Sequence, residues 1–276
     1  MAGVLPTMIA AVDSRRLRRN FSTSADSYDH HAQVQKQVVA NLLNFIAPSC
    51  PEQGTFLDVG CGTGTLSYEL CRIHPQLQPV LSDIAHGMTL QGRSRLSKAL
   101  AVDAAAEALP FADYSLDMVC SSSVYQWVLD LPGAFAESAR ILHEGGLFAF
   151  ALFGKNTLRE LKTAYREAAR IHGGETGHLH ELPDMATVEQ ALNAAGFVQI
   201  ELQRQELVEY HRDVTDLLRS LKRIGAGNAS SRAPRGLASR SQLQKMTAIY
   251  RQRYGKNDQI PASYEVLFGM ATAPTR

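Results

Sequence analysis

The sequence lacks the features that mark membrane-spanning, disulfide-bonded and metal-binding proteins. No apolar run approaches the roughly 18 residues of a membrane helix, so we expect a cytoplasmic protein with no membrane partner. The four cysteines include no Cys-x-x-Cys pair and no metal-ligand spacing, which suits a reducing compartment and predicts no metal. His178 and His180 have no cysteine nearby, and we interpret them as part of an exposed loop.

Net charge is also almost absent. A formal charge of +1 argues against a general nucleic-acid or membrane-surface binder. The exception is the stretch 219–253, which contains nine Lys or Arg and no Asp or Glu. This stretch predicts a local basic surface for an acidic macromolecule, although a solvated loop and helix face would have the same composition.

The N-terminal residues do not follow the order of a secretion signal, whose basic residues precede its apolar part. Here the first twelve residues are mildly apolar and four arginines follow them. We therefore expect a frayed N-terminal tail rather than an import or secretion peptide.

The most informative segment is a short apolar strand that runs into a glycine-rich turn. Gly60, Gly62 and Gly64 alternate with other residues, and Asp58 precedes them. Glycine has no side chain to keep a ligand from the backbone, and a helix N-terminus follows. Nicotinamide sites prefer the different spacing Gly-x-Gly-x-x-Gly. Asp-x-Gly-x-Gly-x-Gly is typical of S-adenosylmethionine-dependent methyltransferases, in which the acid accepts hydrogen bonds from the methionine amino group.

Further candidate residues follow the next predicted strands, because ligands of open α/β sheets bind beyond the carboxyl ends of the strands. Asp83 is expected to bind the ribose hydroxyls, although Asp is also a good helix cap. Ile84 and Met88 are candidates to sandwich the adenine, although either alone is more often a core residue. The other predicted contacts are Asp103 and Ala104 at the adenine amino group, and Ser121, Ser122 and Trp127 near the reacting sulfonium.

The alternation of short strands and helices predicts an α/β fold with a parallel sheet between two layers of helices. We expect a class I S-adenosylmethionine-dependent methyltransferase with a Rossmann-like seven-stranded sheet. A tail and an N-terminal helical lid would occupy residues 1–50. The methyltransferase domain would occupy residues 51–276, with a basic helical insertion at 213–255.

The sequence pattern also predicts where several helices and strands begin and end. One helix is predicted over residues 28–47, and Gly145-Gly146 is predicted to stop the helix over 131–142. Residues 197–202 and 206–211 are interpreted as two separate strands.

The helix that begins near residue 28 precedes the first strand, so it can close over the cofactor as a lid. Tyr28, His30, His31 and Gln33 are candidates to face the site. We expect Gln33 to contact the cofactor, and Tyr28 and His31 to lie near the reacting groups. The alternative is a helix that only packs on the sheet.

Several segments together resemble one family. They are Phe21-Ser22, Tyr28, Val34-Gln35, Leu57–Gly64, Ala108–Phe111, Gln126-Trp127, Thr157–Leu161 and Leu221–Ala226. The glycine turn is common to many methyltransferases, but the last three segments are more particular. The chain is similar to the BioC family, the malonyl-acyl carrier protein O-methyltransferases of biotin synthesis.

This resemblance implies that S-adenosylmethionine is the cofactor and that the carboxylate of malonyl-acyl carrier protein is methylated, which starts pimeloyl synthesis. Carrier proteins are acidic, which agrees with the basic stretch. A cation would orient the carboxylate, and Lys222, Arg223 and Arg159 are the candidates. We expect a monomer that binds no nucleic acid.

Two other functions remain open from the sequence. A methyltransferase for a quinone or another small molecule would need a general base, and His31 is available for that role. Assembly factors of respiratory complex I also resemble this chain and carry a segment like Phe153–Leu161, so that segment does not discriminate.

Overall fold

The computed structural model describes residues 13–171, 181–226 and 240–275. Its helices are α1 (Ser14–Ser24), α2 (Tyr28–His31), α3 (Gln33–Ile46), α4 (Thr65–Ile73), α5 (His86–Arg95), α6 (Leu131–Ile141), α7 (Arg159–Ile171), α8 (Met185–Ala194), α9 (Val214–Arg223) and α10 (Arg240–Tyr254). Its strands are β1 (Gln53–Val59), β2 (Gln76–Asp83), β3 (Leu100–Asp103), β4 (Leu116–Ser122), β5 (Leu142–Phe153), β6 (Val198–His211) and β7 (Ile260–Thr272).

The strands form one seven-stranded sheet in the order β3-β2-β1-β4-β5-β7-β6. The first five strands of this order are parallel, and β7 is antiparallel to both of its neighbours. The predicted α/β class and the number of strands are confirmed. Because the parallel strands run the same way, their carboxyl ends meet at one edge of the sheet, which we call the carboxyl edge.

Apolar side chains fill both faces of the sheet, as expected where helices cover each face. One cluster packs Val38 and Leu42 of α3 against Phe56, Tyr250 and Phe268. Consequently one face of α3 belongs to the main core.

The second cluster lies on the other face of the sheet and is aromatic. It brings Tyr125 together with Phe135, Phe148 and Phe150 in contacts that are mostly edge-on. The Tyr125 hydroxyl lies 3.1 Å from the Ser138 hydroxyl, so this buried phenol has a polar partner.

The strand β6 is a single strand, so the prediction of two separate strands was wrong. Pairing with β7 shifts register between Val198 and Glu201 and then continues to His211 opposite Ile260. The long partner strand supplies backbone hydrogen bonds throughout, and these outweigh the polar composition that suggested a break. The β6–β7 pair extends past the end of β5 at Phe153, and it carries α9 and α10 to the carboxyl edge.

Gly145-Gly146 does not stop a helix, contrary to the prediction. Helix α6 ends at Ile141, and β5 begins at the next residue, so both glycines lie inside the strand. The β4–β5 pairing shifts register across this segment, and Gly145 has a φ of +73°. The glycines therefore allow an irregularity in the ladder, which is a common role of glycine within strands.

The N-terminal segment contains more helix than the sequence suggested. Asp13 caps α1, and its side chain accepts a hydrogen bond from the Arg16 backbone N–H at 3.0 Å. The predicted helix over 28–47 is interrupted at Ala32, whose ψ of 51° is not helical. The predicted frayed tail falls on residues 1–12, which lie outside the described residues. No helix in the described ranges is long and apolar enough to cross a bilayer.

A strand glycine gives a direct test of the packing between β5 and β7. A Cβ at Gly269 would lie 2.3 Å from Cζ of Phe150, so we expect Gly269→Ala to lower the free energy of unfolding. Overpacking of this kind costs about 1–3 kcal/mol, measurable by urea denaturation. In a Phe150→Leu background the same substitution should cost less. An equal penalty in both backgrounds would contradict the steric explanation.

Candidate active site

A cavity lies at the carboxyl edge beneath the N-terminal helices, with about 440 Å³ of empty space of which part is open to solvent. Its floor is the turn after β1, and Ser122 at the end of β4 contributes one wall. The side chains that close it from above share one face of α2 and α3. They are Tyr28, Ala32, Gln35, Lys36 and Val39. These helices therefore cover the cavity, and their predicted action as a lid stays a prediction.

The glycines of the turn have different roles. A Cβ at Gly60 would lie 2.2 Å from Val124 Cγ2, and one at Gly64 would lie 3.1 Å from Gly92 Cα. All three glycines have φ in the left-handed region, at +66°, +54° and +77° in chain order. A Cβ at Gly62, in contrast, would meet nothing within 4 Å. The first and third glycines are thus required for packing, whereas the second borders open space.

Two buried carboxylates face this turn. Asp58 is 1% exposed and accepts a hydrogen bond from the Ser67 hydroxyl at 2.6 Å, while burial raises its pKa to about 7. Asp83 accepts from the backbone N–H groups of Gly62 at 3.0 Å and Ala85 at 2.8 Å. Burial still raises the pKa of Asp83 to about 6. A cationic ligand in the cavity would favour the ionised form of both groups.

The donor set fits the amino-acid portion of S-adenosylmethionine. Asp58 offers a carboxylate that can accept from an ammonium group. Within the described part of the chain, the Ser122 hydroxyl is buried without a hydrogen-bond partner. An unpaired buried hydroxyl is costly unless a ligand pairs with it. The neighbouring Ser121 hydroxyl donates to the Val59 carbonyl at 2.8 Å, so it stabilises the strands instead.

The predicted ribose and adenine residues lie at the ends of β2 and β3. Asp83 and Asp103 are partners in the β2–β3 ladder, and the Ala104 N–H donates to the Asp83 carbonyl at 3.0 Å. The Asp103 carboxylate lies 2.8 Å from Nδ1 of His86.

The two predicted adenine neighbours have different surroundings. Ile84 is half-buried, whereas Met88 is 1% exposed and packs with Ala25 and Tyr28 under the lid. The predicted cofactor contacts of these residues stay predictions.

The lid residues are not equally placed. Tyr28 lines the cavity, and burial together with the Asp83 carboxylate raises the pKa of its hydroxyl, which therefore remains a donor. Desolvation and the nearby Arg223 guanidinium lower the pKa of His31. Gln33 lines a separate groove between α3 and β6, so the structure gives its predicted cofactor role no support. Gln35 lines the cavity instead, at helical spacing from Tyr28 and Ala32.

A polar contact that sequence reasoning missed holds the lid on the glycine turn. The Asp29 carboxylate accepts from the Thr63 hydroxyl at 2.6 Å and pairs with Arg95 of α5. Arg95 also donates to the Thr65 hydroxyl at 2.7 Å. In the sequence this segment was marked only by the candidates Tyr28, His30, His31 and Gln33, and nothing there indicated an ion-pair partner for Asp29.

Two more contacts follow the same face of α5 at intervals of four residues. The Gln91 amide donates to Asp26 at 2.6 Å, and the Gly87 N–H donates to the Ser22 hydroxyl at 3.3 Å. Together with Arg95 they hold the segment from α1 to α2 along α5. The cavity is therefore closed on this side.

The segment Gln126-Trp127 follows β4 and contacts both β5 and α1. The Gln126 side chain donates to the Ser123 carbonyl at 2.7 Å and accepts from the Phe153 N–H at 3.4 Å. Trp127 packs with Leu17 and meets the Phe21 ring edge-on, with centroids 6.1 Å apart. Trp127 thus supports α1, and its predicted place beside the reacting groups stays a prediction.

The predicted carboxylate anchors are in different environments. Lys222 and Arg223 are exposed at the end of α9, and Arg223 is close enough to His31 to influence its pKa. Arg159 pairs with Glu206 and lies 3.4 Å from Glu160. Arg159 is therefore engaged in structural ion pairs.

The segment Thr157–Leu161 is attached to β7 by buried polar contacts. Glu160 is 4% exposed and accepts from the Ser263 hydroxyl at 2.6 Å. The Thr157 hydroxyl donates to the Glu265 carbonyl at 3.0 Å. These bonds explain structurally why Thr and Glu occur in this segment.

No cluster of His, Cys, Asp or Glu in the described ranges has the arrangement of a metal site. His178 and His180 lie outside these ranges.

Comparison with known proteins agrees with this site. Residues 57–150 match the model of a methyltransferase domain family. A malonyl-[acyl-carrier protein] O-methyltransferase of Geobacter sulfurreducens is 42% identical over 94% of this chain and 98% of its own length. A protein of the same name from Gallionella capsiferriformans is 33% identical over 95% of this chain and 92% of its own.

The chain belongs to the malonyl-[acyl-carrier protein] O-methyltransferase family. The resemblance drawn from the sequence segments is thereby confirmed. Solved structures agree on the fold. A putative methyltransferase from Bacillus halodurans has a TM-score of 0.59 and 15% identity, over 86% of this chain and 99% of its own. A phosphoethanolamine N-methyltransferase from Haemonchus contortus, in complex with S-adenosylhomocysteine, has a TM-score of 0.54 and 18% identity, over 86% and 52%.

The raised pKa of Asp58 predicts a pH dependence of cofactor binding. Below pH 7 this carboxyl carries a proton, which a cationic ligand must displace, so affinity for S-adenosylmethionine should rise with pH and level off above 7. Calorimetry at pH 6.5 in buffers of different ionisation enthalpy should detect proton release on binding. Asp58→Asn should bind more weakly and lose most of that release. Unchanged proton release in Asp58→Asn would show that another group titrates.

Proposed function

We propose that this chain transfers a methyl group from S-adenosylmethionine to the free carboxylate of a malonyl group carried on acyl carrier protein, and that the reaction takes place at the mouth of the glycine-turn cavity. The observation that carries the proposal is a cavity beside the glycine turn that offers a buried carboxylate and an unpaired hydroxyl, in a chain whose full-length relatives carry this name. When bound, the sulfonium supplies an already activated methyl group.

The acceptor requires little chemical assistance. A malonyl carboxylate is ionised at neutral pH, so no general base is needed to create the nucleophile. The residues around the cavity then have to hold the carboxylate in line and to exclude water. Tyr28 suits this task because its raised pKa keeps the hydroxyl as a donor. His31, whose pKa is lowered, is mostly neutral at pH 7 and can donate one hydrogen bond without a full charge.

Two cations are better placed than the others to orient the carboxylate. Lys36 lines both the cavity and the groove between α3 and β6, so it stands where the two spaces meet. Arg223 lies beside His31 at the lid. Neither makes an ion pair with any residue in the described ranges, so each is available to an anionic substrate. Lys222 shares the end of α9 but has no such link to the cavity.

An assay with labelled S-adenosylmethionine tests the reaction. Malonyl-acyl carrier protein should acquire label as a base-labile methyl ester, whereas acetyl-acyl carrier protein, which lacks the carboxylate, should acquire none. Malonyl-coenzyme A shows how much the protein carrier contributes. Label on a free quinone or phenol, with none on malonyl substrates, would instead support a small-molecule methyltransferase. If no substrate is labelled while the cofactor still binds, a role in assembly becomes the better explanation.

Substitution of the two cations separates anchoring from cofactor binding. We expect Lys36→Met or Arg223→Met to lower kcat/KM for malonyl thioesters about 10- to 100-fold, the equivalent of one charge-assisted hydrogen bond of about 1.5–3 kcal/mol. The Kd for S-adenosylmethionine should change little. Lys98→Met, which removes an exposed cation just before β3 at the opposite edge of the sheet, is the matched control. A variant that loses cofactor affinity to the same degree does not identify a carboxylate anchor.

A further inference from the structure

We propose that α1 and the end of α9 together form a basic docking surface for the carrier domain, an inference that rests on the proposed carrier-protein substrate. Helix α1 contains four arginines and no acidic residue. Arg15, Arg18 and Arg19 are exposed, and Arg16 is half-buried. Within residues 13–171, 181–226 and 240–275, none of these guanidinium groups has a carboxylate partner.

The helix is held in place by its apolar side. Leu17 is 6% exposed and packs with Phe21 and Trp127. Leu17 and Phe21 lie on one face of α1 and contact Trp127, whereas Arg15 and Arg19, four residues apart, share another face. The arginines are therefore displayed from a fixed helix, which lowers the entropic cost of using them in an interface.

The second half of the surface comes from α9. A Cβ at Gly225 would lie 3.0 Å from the Phe21 ring and 3.3 Å from the Asn20 carbonyl carbon, so the chain after α9 touches the end of α1. Arg219, Lys222 and Arg223 are exposed on the adjoining turns of α9. The two sets of cations therefore lie on adjoining elements, and like charges on one surface add in the field that they present to an approaching partner.

The exposed groups of this surface indicate what kind of partner it binds. Its exposed groups are cations on a protein of net charge +1, which is suited to steering an acidic protein toward the lid. Single-stranded nucleic acid is bound on exposed aromatic platforms, but Phe21 and Trp127 are packed against each other. A membrane-surface helix needs an exposed apolar face, and Leu17 is turned inward. An acidic carrier domain fits these features best.

Matched charge-removal variants test the surface. We compare Arg15→Gln/Arg19→Gln with Arg72→Gln/Lys98→Gln, which removes two cations near the opposite edge of the sheet. The substrates are malonyl-acyl carrier protein and malonyl-N-acetylcysteamine, a thioester without protein or phosphate. We expect the first variant to raise KM for the carrier substrate about five- to tenfold at low ionic strength, with kcat and turnover of the small thioester unchanged.

The remaining measurements separate the two proposals. Added salt should raise the wild-type KM for the carrier substrate and affect the Arg15→Gln/Arg19→Gln variant less, and Arg15→Lys/Arg19→Lys should restore most of the loss. Equal KM values for the wild type and both double variants would overturn the docking surface while leaving carboxyl methylation intact. The same would follow if the small thioester showed the same rise in KM. A wild type that methylates only the small thioester would instead overturn the carrier-protein substrate.

Discussion

The close packing of the turn after β1 is the constraint on which the rest of the site depends. Val124 and Gly92 approach the backbone at Gly60 and Gly64 so closely that a methyl group would not fit. This fixes the end of β1 against the β4 loop and against α5. The same turn then presents the Gly62 N–H to Asp83 and the Thr63 hydroxyl to Asp29 of the lid. Strand ends and lid are therefore aligned by one short piece of backbone.

The N-terminal helices differ in how deeply they pack, since α3 belongs to the core and α1 and α2 lie nearer the surface. Val38 and Leu42 anchor α3 in the apolar cluster beneath the sheet, so this helix moves only if the core is disturbed. Helices α1 and α2 are held by two small apolar clusters, around Leu17 and around Met88, and by polar contacts along α5 that include the Asp29–Arg95 pair. The groups of that pair are about one-third exposed, and exposed ion pairs contribute little stability each. The segment from α1 to α2 is therefore less deeply packed than α3.

The features predicted correctly from the sequence were those that depend on residues close together in the chain. The glycine spacing and the acids at strand ends identified the floor of the cavity, since strand order and chemistry are both local patterns there. The predictions failed where a distant partner decides the outcome. Pairing with β7 made β6 continuous, and a bulge placed Gly145 inside β5. The break at Ala32 sets the phase of α3, so Gln35 lines the cavity and Gln33 lines the groove between α3 and β6. The predicted cofactor contact of Gln33 stays a prediction.

Because the sulfonium is already activated and the acceptor carboxylate is already ionised, the charged residues of the site mainly have to bind and orient these two groups. Burial raises the pKa of Asp58 to about 7 and that of Asp83 to about 6, so a cationic ligand gains by stabilising the charged forms of both carboxylates. An anionic acceptor is disfavoured by those same carboxylates and needs a nearby cation, the role that we propose for Lys36 or Arg223. One cation suits this role better than several, because tighter pairing would reduce the nucleophilicity of the carboxylate. Selectivity for a carrier-bound substrate must then come from outside the cavity, which is why we assign it to the arginines of α1.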